Sequence, residues 1–188
     1  MTVLDRARTS ATDPLQVAWL DTPGLRGRIG LTLAPGKKAT SAFGAPWRRD
    51  LDADLERLAV HHEVRLLVPL VEDHELQLLH IQELQSRAEH FGMAVQRLPI
   101  VDGGVPLARS AAPVVDLALS FARAGHRVCF HCRGGLGRAG TLAALALVHL
   151  GEDPDRAMAA VRAVRPGAIE NSDQERFIAH YQAESGRS

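Results

Sequence analysis

"RVCFHCRGGLGRAGTLAALALVHLG", residues 127–151, reads as strand, loop and helix in immediate succession. The apolar run "RVCFH" at 127–131 predicts a buried strand. Cys132 follows, then Gly134, Gly135 and Gly137, bordered by Arg133 and Arg138. From Arg138 an apolar pattern predicts a helix to Leu150, stopped by Gly151. A strand that feeds a helix through a short loop is the building unit of an α/β domain. In such sheets, ligands gather outside the carboxyl ends of the strands.

The flanking sequence repeats this alternation. Val17–Leu20 and Arg28–Leu33 predict short strands, broken by Pro23-Gly24 and Pro35-Gly36. Leucines at 51, 55 and 58 mark a helical stripe after Asp50. "VRLLVP" (64–69) predicts a buried strand, and residues 74–92 a single helix ending at Gly92. Residues 94–101 predict a strand leading into "DGGVP", and residues 111–125 a helix closing at Gly125. Asp153-Pro154 supplies an N-cap followed by proline at the first helical position, and that helix stops before Pro166-Gly167. Ser172-x-x-Glu175 predicts a capping box for the last helix. No repeat or linker divides the sequence. We therefore expect one α/β domain over residues 1–188, layered around one sheet, with residues 1–14 a loose N-terminal segment.

Composition narrows the function. The 188 residues are 46% apolar and 23% charged, enough to bury a core without staples. Lys and Arg total 22 against 22 Asp and Glu, which argues against general nucleic-acid binding, since that needs a basic surplus. The opening "MTVLDRARTS" has no apolar signal region. The run Leu142–Val148 is far too short for a bilayer. The expectation is a cytoplasmic protein without a membrane span. The two cysteines, Cys129 and Cys132, could staple almost nothing. Cys129 lies within the strand, where it reads as a small buried hydrophobe or as a disulfide partner protecting Cys132. The position rules out a thioredoxin-type motif, which needs its first cysteine in the turn. The nine histidines show no spacing suited to a metal, and none is expected.

The loop's chemistry follows from its parts. A helix start offers orphan N–H groups and a positive dipole end. Glycines at 134, 135 and 137 let the amides converge into an anion cradle. Arg138 adds a two-pronged donor for phosphate oxygens. Those same groups favour a thiolate at Cys132, which makes it a nucleophile aimed at phosphorus. A leaving oxygen then needs a general acid. Asp102 follows a strand end and precedes two glycines that could hinge. Taken alone it is a turn aspartate, but beside the cysteine loop it reads as the acid.

The loop and its surroundings resemble the cysteine-dependent protein tyrosine and dual-specificity phosphatases. Their signature H-C-x-x-G-x-x-R stands here as His131–Arg138. Within that superfamily the chain is similar to the cyclin-dependent-kinase-associated phosphatases and their bacterial relatives. The shared pieces are "QVAWL", "LAPGKK", "LPIVDGGVP", "FHCRGGLGRAG" and "RPGAIENSDQERF", spread over residues 16–178. The resemblance implies a three-layer fold with a central, mixed, mostly parallel sheet flanked by helices. It implies hydrolysis of phosphotyrosine or phosphoserine/threonine proteins through a phosphocysteine, with no metal or cofactor. Cys132 is then the nucleophile, Arg138 the clamp and Asp102 the acid. The cradle is Arg133, Gly134, Gly135, Leu136, Gly137 and Arg138, fit for phosphate, sulfate or vanadate, and His131 supports the loop. A water-positioning glutamine falls at Gln174, with Glu170 at the earlier candidate position. The expected partner is a phosphoprotein or phosphopeptide.

One departure stands out. The family usually has Ser or Thr directly after the arginine, where its hydroxyl helps the thiolate leave. This chain has Ala139, and Thr141 is too far around the helix to replace it. A phospho-binding protein without turnover and a phosphatase of small metabolites therefore stay open as alternatives. A sulfurtransferase loop is shorter than Cys132–Arg138, and low-molecular-weight phosphatases carry their cysteine near the N-terminus. The only tyrosine, Tyr181, offers no tyrosine-lined deep entrance, which favours a shallower mouth. Other charged signals read as solvated surface: the cluster Glu72, Asp73 and Glu75 at a helix start, Arg109, Arg165, and "GLTLAPGKKAT" as a surface turn.

Overall fold

The computed structural model describes residues 7–40 and 45–181. Its main sheet has the order Ala18–Trp19 (β1), Arg28–Thr32 (β2), Arg127–His131 (β7), Val64–Pro69 (β5) and Ala94–Val95 (β6). β1 is antiparallel to β2, and every other neighbouring pair is parallel. Lys38–Ala39 (β3) and Trp47–Arg48 (β4) form a separate small hairpin. Seven helices flank the sheet among the described residues: Leu51–Glu56 (α1), Asp73–Leu78 (α2), Leu84–His90 (α3), Ala108–Arg123 (α4), Gly137–His149 (α5), Pro154–Val164 (α6) and Ser172–His180 (α7). α1 runs on as a π-helical turn, Arg57–His61. The expected mixed, mostly parallel sheet between helical layers is what the chain forms.

Both sheet faces are covered, so the strands are continuously apolar rather than alternating. Val128 and Phe130 of β7 join Ile29, Leu31, Leu66 and Val68 in a large core under α4 to α7. Cys129 points the other way, into a second core with Leu55, Leu58 and Ala88 from the α1 and α3 side. α5 lies at the centre, with almost every side chain from Gly137 to Leu147 buried. β2, β7 and β5 end level, since Thr32 and Pro69 both register with His131. The chain leaving β7 therefore emerges between two strand ends.

Several local expectations need correction. Residues 74–92 are two helices, with His80 at φ 55° between them. Leu79, Ile81 and Leu84 all enter one small apolar cluster with Ala34. On a continuous helix residues 79 and 81 point about 200° apart, so the chain turns to bury both. The strand expected over 94–101 is a regular ladder only at β6. Beyond it, Leu98 and Ile100 still donate N–H bonds to the Pro69 and Leu70 carbonyls at 3.0 Å, which carries Asp102 to the carboxyl end of the sheet. The cap of α7 is Asn171, whose side chain accepts from Gln174 N–H, and not Ser172. The N-terminal stretch is tied down where it is described: Arg8 bridges to Trp47, and the Asp13 carbonyl accepts from Arg49. The Pro35-Gly36 turn is buried rather than at the surface. Its Gly36 N–H donates to Asp54, which also holds Arg49 in a buried pair at 2.7 Å.

Candidate active site

Cys132 sits where β7 stops, with its thiol largely buried. His131 is fully buried, and its Nδ1 lies 3.4 Å from the Cys132 carbonyl. Burial lowers the His131 pKa to about 4, so the ring is neutral. Leu136 is the residue that caps α5, and no side chain caps the helix start. The first amides of α5 are thus left to face an anion.

Close packing fixes the loop's shape. Gly135 has φ 69°, and a Cβ there would lie 2.4 Å from the Thr32 carbonyl. Only glycine fits so close to the end of β2. At Gly137 a Cβ would fall 2.3 Å from the Glu170 carboxylate and 2.8 Å from Gln174 Nε2. Arg165 donates to the Gly135 carbonyl through Nε at 3.1 Å and to the Gly134 carbonyl through Nη2 at 2.9 Å. Pinning carbonyls outward turns the intervening amides toward the cradle. From the other side, Lys37 Nζ donates to the Arg133 carbonyl at 3.3 Å.

Arg138 lies one residue into α5 and is 1% exposed. Glu75 of α2 takes both its arms, Nη1 at 2.6 Å and Nη2 at 2.8 Å. Nη1 also donates to the Ile100 carbonyl at 2.8 Å, and Nη2 to Asp102 Oδ1 at 2.8 Å. Asp102 itself is solvent-exposed, in the turn before Gly103. That turn is moored to α7, since Asn171 Nδ2 donates to the Gly103 carbonyl at 2.8 Å and Gln174 Nε2 reaches the Gly104 carbonyl at 3.4 Å. Gln174 is fully buried, and its Oε1 accepts from Glu170 N–H.

The fold thus brings Asp102, Arg138, the loop and Gln174 together. Three residues read as solvated surface or turn belong with them. Glu75 is a buried partner of Arg138, Arg165 braces the loop, and Lys37 reaches it from the β2–β3 turn. No local signal marks them, because each acts through a neighbour distant in sequence. Arg109 stays exposed. Cys129 and Cys132 belong to cores on opposite faces of the sheet, so within this fold Cys129 is no disulfide partner for Cys132. Burial also pushes the Cys129 thiol far above its ordinary range.

An oxyanion set over Cys132 would meet uncapped amides on one side and the Arg138 guanidinium on the other, which is the plan of a dual-specificity or tyrosine phosphatase loop. Residues 45–178 match the PTP-SAK family, described as the Swiss Army Knife protein DSP-PTPase phosphatase domain, and the chain belongs to that family. It is also similar to cyclin-dependent kinase inhibitor 3 of Rattus norvegicus, at 27% identity over 170 residues, which is 88% of this chain and 77% of the relative. The Homo sapiens protein of that name is 26% identical over the same coverage. Among solved structures, kinase associated phosphatase with its catalytic-site cysteine replaced by serine superimposes with a TM-score of 0.80 at 25% identity, over 88% of this chain and 92% of that one. Tk-PTP in its active form gives 0.65 at 26% identity, over 84% and 95%.

Proposed function

We propose that this phosphatase-family chain hydrolyses phosphomonoesters on phosphotyrosine or phosphoserine/threonine proteins through a phosphocysteine intermediate. The observation that carries the reading is the meeting of Arg138 and Asp102 beside the Cys132 loop. In the first step the Cys132 thiolate attacks phosphorus in line. The S–P bond forms as the P–O bond to the leaving group breaks, and Asp102 gives that oxygen its proton. Loop amides and Arg138 neutralise the charge on the three equatorial oxygens. In the second step a water held near Gln174 attacks phosphorus while Asp102 takes its proton. Inorganic phosphate departs and the thiolate is restored. The clamp consists of amides and a guanidinium, so the steps call for no metal or cofactor.

Two features bear on the substrate. Val101, Val105 and Leu107 are all exposed around Asp102, an apolar collar suited to a polypeptide surface or an aryl group. Tyr181 is buried in the main core, consistent with a mouth without a deep tyrosine wall. A thiolate nucleophile works in a reducing compartment, so we place the chain in the cytoplasm. None of the described helices is long and apolar enough to cross a membrane.

The test is turnover of a generic aryl phosphate. Wild type should hydrolyse it and be inhibited by vanadate, while Cys132→Ser should lose turnover and keep phosphate binding. Activity retained in Cys132→Ser would overturn the mechanism. A wild type that binds vanadate and turns nothing over would support a binding protein instead.

A further inference from the structure

Lys37 is half-buried beside the phosphate loop. Its Nζ lies over the Trp47 ring, 5.0 Å from the ring centre, and donates to the Arg133 carbonyl at 3.3 Å. Among the described residues, neither Lys37 nor Arg133 has a carboxylate partner. An ammonium carries three donors, and the Arg133 carbonyl takes one of them. Burial, followed by the nearby Arg133 charge, lowers the Lys37 pKa, while Cys132 pulls it the other way. Arg49 adds further repulsion. A half-buried cation facing other cations is stabilised by an anion placed between them. Of the carboxylates of the mouth, Asp102 is taken by Arg138 Nη2 at 2.8 Å, and Glu170 makes no ion pair with Lys37 or Arg133 among the described residues.

We propose that Lys37 and Arg133 form a second anion subsite next to the phosphate loop, and that favoured substrates carry a second negative group beside the phosphate that is cleaved. The assignment rests on the phosphatase reading above and deepens it. One guanidinium and one ammonium at the rim recognise charge rather than scaffold. An acidic side chain flanking a phosphorylated residue and a second phosphate on a small polyol share that chemistry.

Calorimetry on the Cys132→Ser protein separates binding from turnover. Two matched pairs of probes are a hexose bisphosphate against a hexose monophosphate, and a phosphotyrosine peptide flanked by aspartates against one flanked by alanines. In at least one pair the doubly anionic probe should bind about tenfold tighter, the worth of one added charge-assisted contact. The pair that shows the gap identifies the source of the second anion. Adding Lys37→Met, which removes the charge and keeps a side chain of similar length, should shrink the gap to about twofold, and Lys37→Arg should retain it. Arg133→Met, at an exposed side chain, offers a second route to the same loss. Equal binding within both pairs, or a gap that survives both Met variants, overturns the subsite alone. Failure to bind any of the four probes overturns the phosphate-loop reading and the subsite with it.

Discussion

Arg138 and Glu75, 63 residues apart, form a buried two-armed ion pair, with Nη1–Oε2 at 2.6 Å and Nη2–Oε1 at 2.8 Å. The pair fixes the plane of the guanidinium before any ligand arrives, and it joins α2 to the start of α5. Both Nη groups are fully occupied, by Glu75, the Ile100 carbonyl and Asp102. A phosphoryl group that takes an Nη2 hydrogen therefore displaces the exposed Asp102 carboxylate, while Glu75 keeps the plane set. The pair also balances a charge that is otherwise costly to bury.

Removing only the carboxylate should therefore be expensive. We expect Glu75→Gln to lower stability by about 3–5 kcal/mol, because it leaves a buried cation uncompensated, and to lower turnover with it. Burial pushes the Glu75 carboxyl up, but the hydrogen bond from Arg138, the Glu72 amide and the Arg138 charge together hold it below its ordinary value of 4.5. Its stabilisation is thus present above that value and is lost as pH falls through the lowered folded value. Urea melts should show wild type losing stability in that acid range, with a shallower slope in Glu75→Gln. Equal slopes would count against the pair's role.

His131 sets a second, higher pH window. Its folded pKa of about 4 lies below the ordinary 6.5, because a buried imidazole resists charging. The unfolded chain therefore binds the proton first. Stability is complete above about 6.5 and drains away as pH falls toward 4, by about 3 kcal/mol at most. His131→Asn should flatten melts between those limits. An unchanged profile would mean that another group governs acid unfolding.

How far the sequence carried this reading depends on distance along the chain. Strand, glycine loop and helix from Arg127 to His149 were legible because each signal is local: an apolar run, special backbone freedom, an apolar helical face. Asp102 was legible because it stands at a strand end before two glycines. Glu75 was not, since an acidic first turn of a helix looks the same whether its carboxylate meets water or Arg138. Arg165 and Lys37 were missed for the same reason, as they reach loop carbonyls 30 and 96 positions away. The break at His80 was hidden because the leucine stripe predicts a helix. Burying Ile81 together with Leu79 is a tertiary demand.

Asp102→Asn tests the acid independently of folding. The side chain is 61% exposed, so stability should stay within about 0.5 kcal/mol. Turnover should fall about 10²–10⁴-fold for an alkyl phosphate, whose leaving oxygen needs a proton. The loss should be much smaller for a nitrophenyl phosphate, whose leaving group departs unaided. Equal losses on both substrates would remove Asp102 from the acid role.

Ala139 lies wholly inside the main core with Cys132, and Thr141 Oγ1 is committed to the Gly137 carbonyl at 2.9 Å. Neither residue offers a hydroxyl to the departing thiolate. We expect phosphocysteine breakdown to limit turnover, visible in stopped flow as a burst of nitrophenol close to one equivalent, followed by a slow phase. Ala139→Ser should quicken the slow phase by about tenfold, the worth of one hydrogen bond to a charged group. A wild type without a burst would show that formation is the slow step.

Arg165 gives the last and most local test. Its two bonds hold the Gly134 and Gly135 carbonyls away from the cradle, while the side chain itself never reaches the reacting atoms. It is a positioning residue, so Arg165→Met should raise the KM for an aryl phosphate and weaken vanadate binding by about tenfold, equivalent to about 1.4 kcal/mol. Lys can replace one of the two bonds but not the fork, so Arg165→Lys should fall between. If Arg165→Met lowered the melting temperature and left vanadate affinity unchanged, the residue would be a brace for the fold rather than for the loop's amides.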